Sequence, residues 1–248
     1  MATDLAHIRY KFIQDLNEYV FSANMDVLLF GGAVRDFLLH GHNVRNKFDD
    51  KVVPVDLDYL CQSVEEYNFL IHHLEHYDIK PSSISIQENE AIIYPEKMNI
   101  TSFTFKFPLH PIKVKIDLVL YTEDAVWKGD YLIDVCSLTM NSKGSIGLVP
   151  WYVDICSDRS QLITKTLSQA NRVAEILQSI YERCFSISVP LSNPRESVVK
   201  MKIITLMARN WTFLHLKHKF TLNEKGMILK NQEDEPLIQA AFFKTIEL

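Results

Sequence analysis

The spacing of apolar residues predicts alternating helices and strands in the first part of the chain. Apolar side chains recur at helical spacing over residues 5–23, and the short run MDVLLF at 25–30 is typical of a buried strand. Gly31-Gly32 then turns the chain into a second helix, which begins AVRDFLLH. The segment VDLDYLC at 55–61 alternates between polar and apolar residues, as a half-buried strand does.

Further strands and two long helical patterns follow. A helix with a Ser cap is predicted over 63–77, and ISIQENEAIIYP, NITSFTFKFPL and IKVKIDLVLY resemble strands. NSKG in YLIDVCSLTMNSKGSIGLVP indicates a turn between two strands. SDRSQLITKTLSQANRVAEILQSIYERCF and PRESVVKMKIITLMARNWTFL each predict one helix. We therefore predict an α/β (α+β) head domain over residues 1–155 and a short, mainly helical C-terminal region over residues 156–248.

Composition narrows the class of protein. The net charge of −5 and the pI near 6.0 exclude an overall basic field, so nucleic acid would have to bind a local patch. The 4 cysteines are widely spaced and indicate reduced thiols in an intracellular protein. No apolar run approaches the ~20 residues of a membrane span, and MATDLAHIRY has no apolar signal core. These features predict a cytoplasmic protein that does not enter a membrane.

Two carboxylates on one strand are the first candidates for chemistry. Residues i and i+2 of a strand share a face, so Asp56 and Asp58 project side by side and repel each other when both are ionised. Mg²⁺ is a natural cation between them, since it prefers carboxylate oxygens together with substrate phosphates. The alternative interpretation is a solvated polar strand face, because Asp-x-Asp is a common pattern.

A third carboxylate lies on a later strand, IKVKIDLVLY. Asp117 shares one face with Lys113 and Lys115, while the opposite face is apolar. If this strand lies beside the one that carries Asp56 and Asp58, three carboxylates converge, as a two-metal phosphoryl-transfer site requires. An amphipathic edge strand with surface charges is the alternative.

The Gly-Gly turn is the third candidate. A strand, a glycine turn and a helix N-terminus together form a phosphate cradle, because glycines let backbone N–H groups approach oxyanions. Arg35 in the first helical turn could reach a triphosphate, and Asp36 could brace Arg35 or cap the helix. A tight turn without a ligand is the alternative for Gly31 and Gly32 alone.

Taken together, these segments resemble the signature of class II tRNA nucleotidyltransferases (CCA-adding enzymes) and bacterial poly(A) polymerases. That signature is GG-x-VRD-x-LL-G followed by a D-x-D pair. The residues that match in register are Gly31, Gly32, Val34, Arg35, Asp36, Leu38, Leu39, Gly41, Asp56 and Asp58.

The resemblance implies a fold and a reaction. The fold is a polymerase-β-like nucleotidyltransferase head, a small mixed sheet with helices packed on one side. Two Mg²⁺ ions held by Asp56 and Asp58 would activate a 3′-hydroxyl, which attacks the α-phosphate of a nucleoside triphosphate and releases pyrophosphate. Asp117 is the candidate for the third metal-binding carboxylate by its position, and Gly31 and Gly32 would line the triphosphate.

The ribose-binding motif of the family, R-R-D-F-T-x-N, departs from the pattern here. One register matches Lys128, Asp130 and Tyr131 to this motif and makes Lys128 and Asp130 nucleotide-binding candidates, although the second Arg is absent. A competing register places Asp134 at the Asp of the motif. Both registers remain open from the sequence.

The base-reading motif, E-D-x-x-R, also departs from the pattern. Its nearest match, ESVVK at 196–200, replaces Asp by Ser and Arg by Lys, which removes the bidentate fork that reads a base edge. An ordinary amphipathic helix is the alternative. The family also has a long helical body after this point, and here the region is short.

The sequence favours a Mg²⁺-dependent enzyme that adds nucleotides, with ATP as the expected donor, to an RNA 3′ end of tRNA or mRNA-like type. Poly(A) polymerase-like addition is favoured over CCA addition because the base-reading motif is broken. A partner protein or a homodimer would replace the missing body. The alternatives are a non-catalytic relative that binds RNA or a subunit, and nucleotidyl transfer to a protein or small molecule.

Overall fold

The computed structural model describes most of the chain in segments. These are residues 2–23, 27–42, 52–88, 99–107, 110–121, 133–150, 162–187, 196–216, 220–222 and 228–230. No helix in these segments is long and apolar enough to cross a membrane.

Five helices lie in the described segments. They are α1 (Ala2–Ser22), α2 (Gly32–His42), α3 (Val64–Glu75), α4 (Leu162–Tyr181) and α5 (Glu196–Ala208). The cap predicted for the third helix is confirmed, because the Ser63 hydroxyl accepts a hydrogen bond from the Glu66 N–H at 3.1 Å. The Glu66 carboxylate in turn accepts from the Gln62 N–H at 2.7 Å, which further fixes the start of α3.

Eleven strands are described. They are β1 (Leu28–Phe30), β2 (Asp56–Cys61), β3 (Ser83–Glu88), β4 (Asn99–Lys106), β5 (Lys113–Leu120), β6 (Leu138–Met140), β7 (Ile146–Leu148), β8 (Cys184–Ile187), β9 (Thr212–Leu216), β10 (Phe220–Leu222) and β11 (Ile228–Lys230). The first seven form one sheet in the order β3-β4-β5-β2-β1-β6-β7. Only β2 and β5 pair in parallel within this sheet, so the sheet is mixed, as predicted.

The two faces of the central strands have opposite characters. Leu57 and Tyr59 of β2 are buried, and the Tyr59 hydroxyl donates a hydrogen bond to the Asn17 side chain of α1 at 2.7 Å. The apolar face of the sheet therefore packs against α1 and α3, and Asp56 and Asp58 project from the other face. The strand periodicity predicted for this segment is confirmed.

The C-terminal elements differ from the sequence-based prediction at their ends. Both helical patterns stop early and continue as strands, β8 after α4 and β9 after α5, which pair in parallel. The backbone turns at Arg183 (φ 53°) and Asn210 (φ 63°), in the left-handed conformation that ends helices. At Asn210 the N–H bonds the Met207 carbonyl, and the Trp211 N–H bonds the Leu206 carbonyl, both features of a Schellman cap. Periodicity alone did not reveal these ends, because neither turn contains glycine.

The C-terminal elements share their core with the head. A buried cluster runs from α1 and the sheet into α4, β8 and α5, and it includes Ile176, Ile180, Phe185, Ile203, Leu206 and Trp211. A polar link reinforces this contact, because both carboxylate oxygens of Asp134 accept hydrogen bonds from Ser186, one from its N–H and one from its hydroxyl. The described parts of the two predicted regions therefore pack as one unit.

Candidate active site

The pairing of β2 with β5 brings the predicted carboxylates together. The two strands run in parallel, with Asp58 opposite Asp117 and Asp56 opposite Lys115. Residues directly paired across a sheet point to the same face, with Cβ atoms about 5 Å apart. The adjacency on which the sequence argument depended is therefore present, and three carboxylates project from one face of the sheet.

Asp117 is the most firmly held of the three. One carboxylate oxygen accepts a hydrogen bond from the Ser102 hydroxyl at 2.6 Å, and the other accepts from the Lys115 ammonium at 2.8 Å. Ser102 lies directly opposite Asp117 on β4, so the sheet itself positions this donor. Asp117 is buried, while Lys115 is half exposed. The surroundings of Asp117 keep it oriented toward the face that carries Asp58.

Asp58 is the carboxylate of the site whose ionisation is most disfavoured. Burial raises its pKa well above the usual value, and the Asp56 and Asp117 carboxylates raise it further. Asp56 has an exposed side, yet loss of water around its carboxylate raises its pKa as well, followed by repulsion from Asp117. Both effects are opposed by two ammonium groups, Lys202 first and Lys115 second. A site with this charge distribution favours a bound cation.

The donor set fits Mg²⁺ that is bound jointly with a phosphate. Across the described segments, no three His, Cys, Asp or Glu side chains form a metal cage by themselves. Mg²⁺ rarely needs such a cage, since it commonly takes one or two carboxylates and fills its other positions with water and substrate phosphate. Asp56 and Asp58 provide that pair. Asp117, with both oxygens engaged by Ser102 and Lys115, stays a predicted third ligand.

The glycine turn lies directly against these carboxylates. Gly31 has a φ of +80°, a backbone conformation that residues other than glycine rarely adopt. Its N–H donates a hydrogen bond to the Leu138 carbonyl at 3.1 Å. A Cβ atom on Gly31 would lie 3.4 Å from an Asp58 carboxylate oxygen. The turn therefore delivers the N-terminus of α2, which begins at Gly32, to the edge of the carboxylate site.

Arg35 and Asp36 belong to a buried ionic cluster. The Arg35 Nε donates to Asp36 at 2.7 Å, and another nitrogen of its guanidinium donates to the Cys136 sulfur at 3.3 Å. The guanidinium also lies over the Trp211 ring, 5.2 Å from its centroid. The second oxygen of Asp36 accepts from Arg209 at 2.7 Å. We call Arg35, Asp36, Arg209 and Trp211 the arginine clamp.

The arginine clamp limits what Arg35 can reach. Arg35 is only 5% exposed, and burial alone would lower its pKa, but Asp36, Cys136 and Asp56 together raise the pKa above the ordinary value. The guanidinium is therefore a permanent cation whose fork is directed at Asp36 and Cys136. The bracing of Arg35 by Asp36 is confirmed. A contact between Arg35 and a triphosphate stays a prediction.

The ribose-binding candidates have different outcomes. Lys128 and Asp130 lie outside the described residues. Asp134, from the competing register, is buried in a short 3₁₀ helix (Asp134–Cys136) and accepts hydrogen bonds from Val135 and Ser186. Its carboxylate connects the sheet to β8, because both of its oxygens accept hydrogen bonds from Ser186.

Sequence reasoning missed three residues that shape the site. Ser102 could have been found, because strand alternation places it on the face opposite to Phe103 and Phe105. That face is the one that carries Asp117. Arg209 and Lys202 carried no such signal, since they come from α5 and its terminal turn, far from the signature in sequence. Their roles follow from packing.

The sequence matches no known protein-family profile and no curated protein.

Proposed function

We propose that this protein is a Mg²⁺-dependent nucleotidyltransferase that adds nucleotides from a nucleoside triphosphate, with ATP as the expected donor, to an RNA 3′ end. Its head would be of the polymerase-β-like type. The observation that carries the proposal is the in-register pairing of Asp58 with Asp117 beside the Gly31 turn. Carboxylates next to a phosphate cradle form the arrangement that metal-assisted phosphoryl transfer needs.

Each group has a role in this proposal. Asp56 and Asp58 hold the metal, with Asp117 as the third carboxylate. When bound, Mg²⁺ supplies Lewis-acid stabilisation of the charge that develops on the phosphate oxygens and on the attacking oxygen. The N–H groups in the first turn of α2 have no partner within the helix and are directed toward an anion at its N-terminus. They would bind the triphosphate from Gly32 onward, because the Gly31 N–H already bonds Leu138.

The positions of the attacking and leaving groups in this proposal are inferred from the charges around them. The 3′-hydroxyl of the RNA attacks the α-phosphate beside Asp56 and Asp58, and the pyrophosphate leaves toward the N-terminus of α2. Ser102 and Lys115 orient Asp117 through hydrogen bonds to its two oxygens. The helix dipole favours the negative charge of the leaving group.

Addition without a template is the preferred form of this activity. The segment ESVVK at the start of α5 lacks the Asp and Arg that read base edges in the family. A Lys ammonium cannot form the planar bidentate contact of a guanidinium. Poly(A) polymerase-like extension is therefore proposed ahead of CCA addition, with a protein partner or a second copy holding the acceptor.

A non-catalytic RNA-binding or subunit-interaction protein is the second candidate. It is favoured by the ion pair between Lys115 and Asp117, which neutralises the third carboxylate without a metal. This candidate predicts nucleotide or RNA binding without turnover, so the same assay separates the two.

The test is extension of a short generic RNA by the pure protein with Mg²⁺ and each labelled nucleoside triphosphate in turn. Asp56→Asn and Asp58→Asn should each lower the rate by at least about 10³-fold, because loss of a metal ligand removes several kcal/mol of transition-state stabilisation. Asp15→Asn, on the exposed side of α1, is the matched control and should extend normally. Undiminished activity in both site variants would refute the assignment, and binding without extension would favour the second candidate.

A further inference from the structure

Strand β3 forms one edge of the seven-stranded sheet. It pairs with β4 on one side, and no other strand in the described segments pairs with its outer side. Alternate N–H and C=O groups of an edge strand point away from its neighbour and offer a template for another strand. Proteins that avoid such pairing place Lys, Pro or a bulge in the edge strand. Over Ser83–Glu88, β3 contains no Lys or Pro, and its register with β4 is continuous.

Two exposed isoleucines adjoin this edge. Ile84 is 44% exposed and Ile86 is 70% exposed. Ile84 lies opposite the buried Phe103 of β4, and Ile86 lies opposite Thr101, whose hydroxyl shares a 2.6 Å hydrogen bond with the Tyr67 hydroxyl of α3. Both isoleucines are therefore on the face of the sheet that the helices cover, beyond the part that the described helices bury. One exposed isoleucine is common on a surface, but two beside an edge that no described strand pairs with favour contact with another strand.

The sequence of β3 is self-complementary about Ser85. If two copies of the strand pair in antiparallel with Ser85 opposite Ser85, Ile84 of each copy lies opposite Ile86 of the other on the same face. The two copies are then related by a two-fold axis through the serine pair, as a closed dimer requires. An axis at Ile84 would instead place Ile86 opposite Ser82, and an axis at Ile86 would place Ile84 opposite Glu88. Only the register centred on Ser85 pairs every isoleucine with an isoleucine.

We infer that β3 pairs in antiparallel with β3 of a second copy of this chain, centred on Ser85, and so joins two seven-stranded sheets into one. Pairing over residues 83–87 forms about four to six backbone hydrogen bonds between the copies, depending on which alternate set of groups faces outward. It also covers Ile84 and Ile86 of both copies. An interface of this size is small, so a reversible dimer with a Kd on the order of micromolar is expected. The inference uses no residue of the carboxylate site and is independent of the proposed chemistry.

The dimer has a consequence for the two candidate sites. The two-fold axis is perpendicular to the joined sheet, so both sites lie on the same face of it. Ser85, Ser102 and Asp117 are in direct register on neighbouring strands. Five steps between strands, each about 4.8 Å, therefore separate Asp117 of one copy from Asp117 of the other, roughly 24 Å in total. Under the proposed function, the second copy lies beside each site and offers the surface that holds the acceptor.

Cysteine substitution at two exposed serines on one face of β3 tests the register in the full chain. Ser85→Cys places two thiols directly opposite each other in the dimer, with Cα atoms about 4.5–5.5 Å apart, a separation that a disulfide spans. Ser83→Cys is the matched control, because its two copies lie roughly 13 Å apart along the joined strands. Mild oxidation should cross-link most of Ser85→Cys into a dimer on a non-reducing gel. Ser83→Cys and the wild type, with its native cysteines, should stay uncross-linked.

Sedimentation of the unmodified edge provides a second measurement. Ile86→Lys should raise the Kd of the dimer at least about tenfold, because each interface would then hold two ammonium groups beside apolar side chains. Met201→Lys, at an exposed apolar residue of α5, is the matched control and should leave the Kd unchanged. Both residues are exposed, so both variants should keep the fold, which circular dichroism checks.

The outcomes distinguish this inference from the proposed function. A wild type that stays monomeric at about 100 μM, far above the expected Kd, would overturn the inference and indicate that another segment or another protein covers the edge. Equal cross-linking of both cysteine variants, or a dimer that Ile86→Lys leaves unchanged, would overturn it in favour of a different interface. RNA extension by a monomeric wild type would leave the proposed function standing. A dimer with the expected cross-link that binds no nucleoside triphosphate would overturn the proposed function alone.

Discussion

At the scale of single residues, Asp58 lies where ionisation is unfavourable. Its carboxylate is half buried, next to Asp56 and Asp117, and its pKa is raised well above the usual value. A raised pKa means that the folded protein holds its proton more tightly than the unfolded chain does. Between the unfolded pKa, about 4, and the raised folded pKa, the free energy of unfolding therefore falls as pH rises. The ionised form of Asp58 therefore lowers the stability of the folded protein.

Asp58→Asn should stabilise the protein at pH 7 in the absence of divalent cations. The variant removes a repelled charge, and the gain is on the order of 1 kcal/mol or more, which corresponds to roughly 2–4 °C in Tm per kcal/mol. The difference should shrink as pH is lowered toward about 4, where both states of the wild type protonate this group. Thermal unfolding of both proteins over this pH range measures it.

Magnesium provides the control for this prediction. It should raise the Tm of the wild type at pH 7 and leave Asp58→Asn nearly unaffected, because a ligand stabilises only the state that binds it. A variant that is less stable than the wild type at pH 7 without metal would contradict the electrostatic account of Asp58.

At the scale of elements, the arginine clamp joins α5 to α2. Asp36 is 1% exposed and receives hydrogen bonds from Arg35 and Arg209, while Arg209 also bonds the Val53 carbonyl. A buried charge that loses one of its partners is costly, because no water replaces the lost hydrogen bond. The turn that ends α5 therefore supports the start of α2, where the proposed phosphate cradle lies.

Arg209→Met should lower the free energy of unfolding by about 1–3 kcal/mol, since Asp36 keeps Arg35 but loses a charged donor. Glu175→Gln is the control, because Glu175 is exposed and pairs with Arg172 within one helix. An ion pair with such an exposed partner contributes roughly 0–1 kcal/mol. Urea unfolding of both variants measures the difference. Equal small losses of unfolding free energy would show that the clamp contributes no more to stability than the exposed pair does.

At the scale of the whole molecule, the head and the C-terminal elements share one core. The buried residues that α4, β8 and α5 contribute include Ile176, Ile180, Phe185, Ile203 and Leu206. Each buried side chain of this kind contributes about 1.5–3 kcal/mol, so these five amount to roughly 7–15 kcal/mol. That sum is comparable to the whole net stability of a typical domain, about 5–15 kcal/mol.

A fragment of residues 1–155 should therefore not fold cooperatively by itself. It keeps the carboxylates but exposes the core surface that α4 and α5 cover, and it loses the bonds from Ser186 to Asp134. Urea unfolding monitored by circular dichroism should show a broad transition with a low m-value, compared with a sharp transition for the full chain. A sharp transition in the fragment would establish an independent head domain.

The local pattern of the sequence determined much of the fold and part of the site. Alternation placed Asp56 and Asp58 on one strand face. The order of strand, glycine turn and helix around Gly31 was predicted from the residues themselves. These properties are local, because the period of a strand or helix is set by the backbone of that segment alone. The polar face that carries Asp117 was predicted for the same reason.

Only the tertiary structure decided which segments meet. The pairing of β2 with β5, the hydrogen bond from Ser102 to Asp117 and the contact between Arg209 and Asp36, 173 residues apart, all depend on how the sheet and helices pack. Periodicity carries no information on partners, because many strand orders bury the same apolar faces. The ammonium groups that act on the carboxylates, Lys202 and Lys115, could be identified only from packing in the same way.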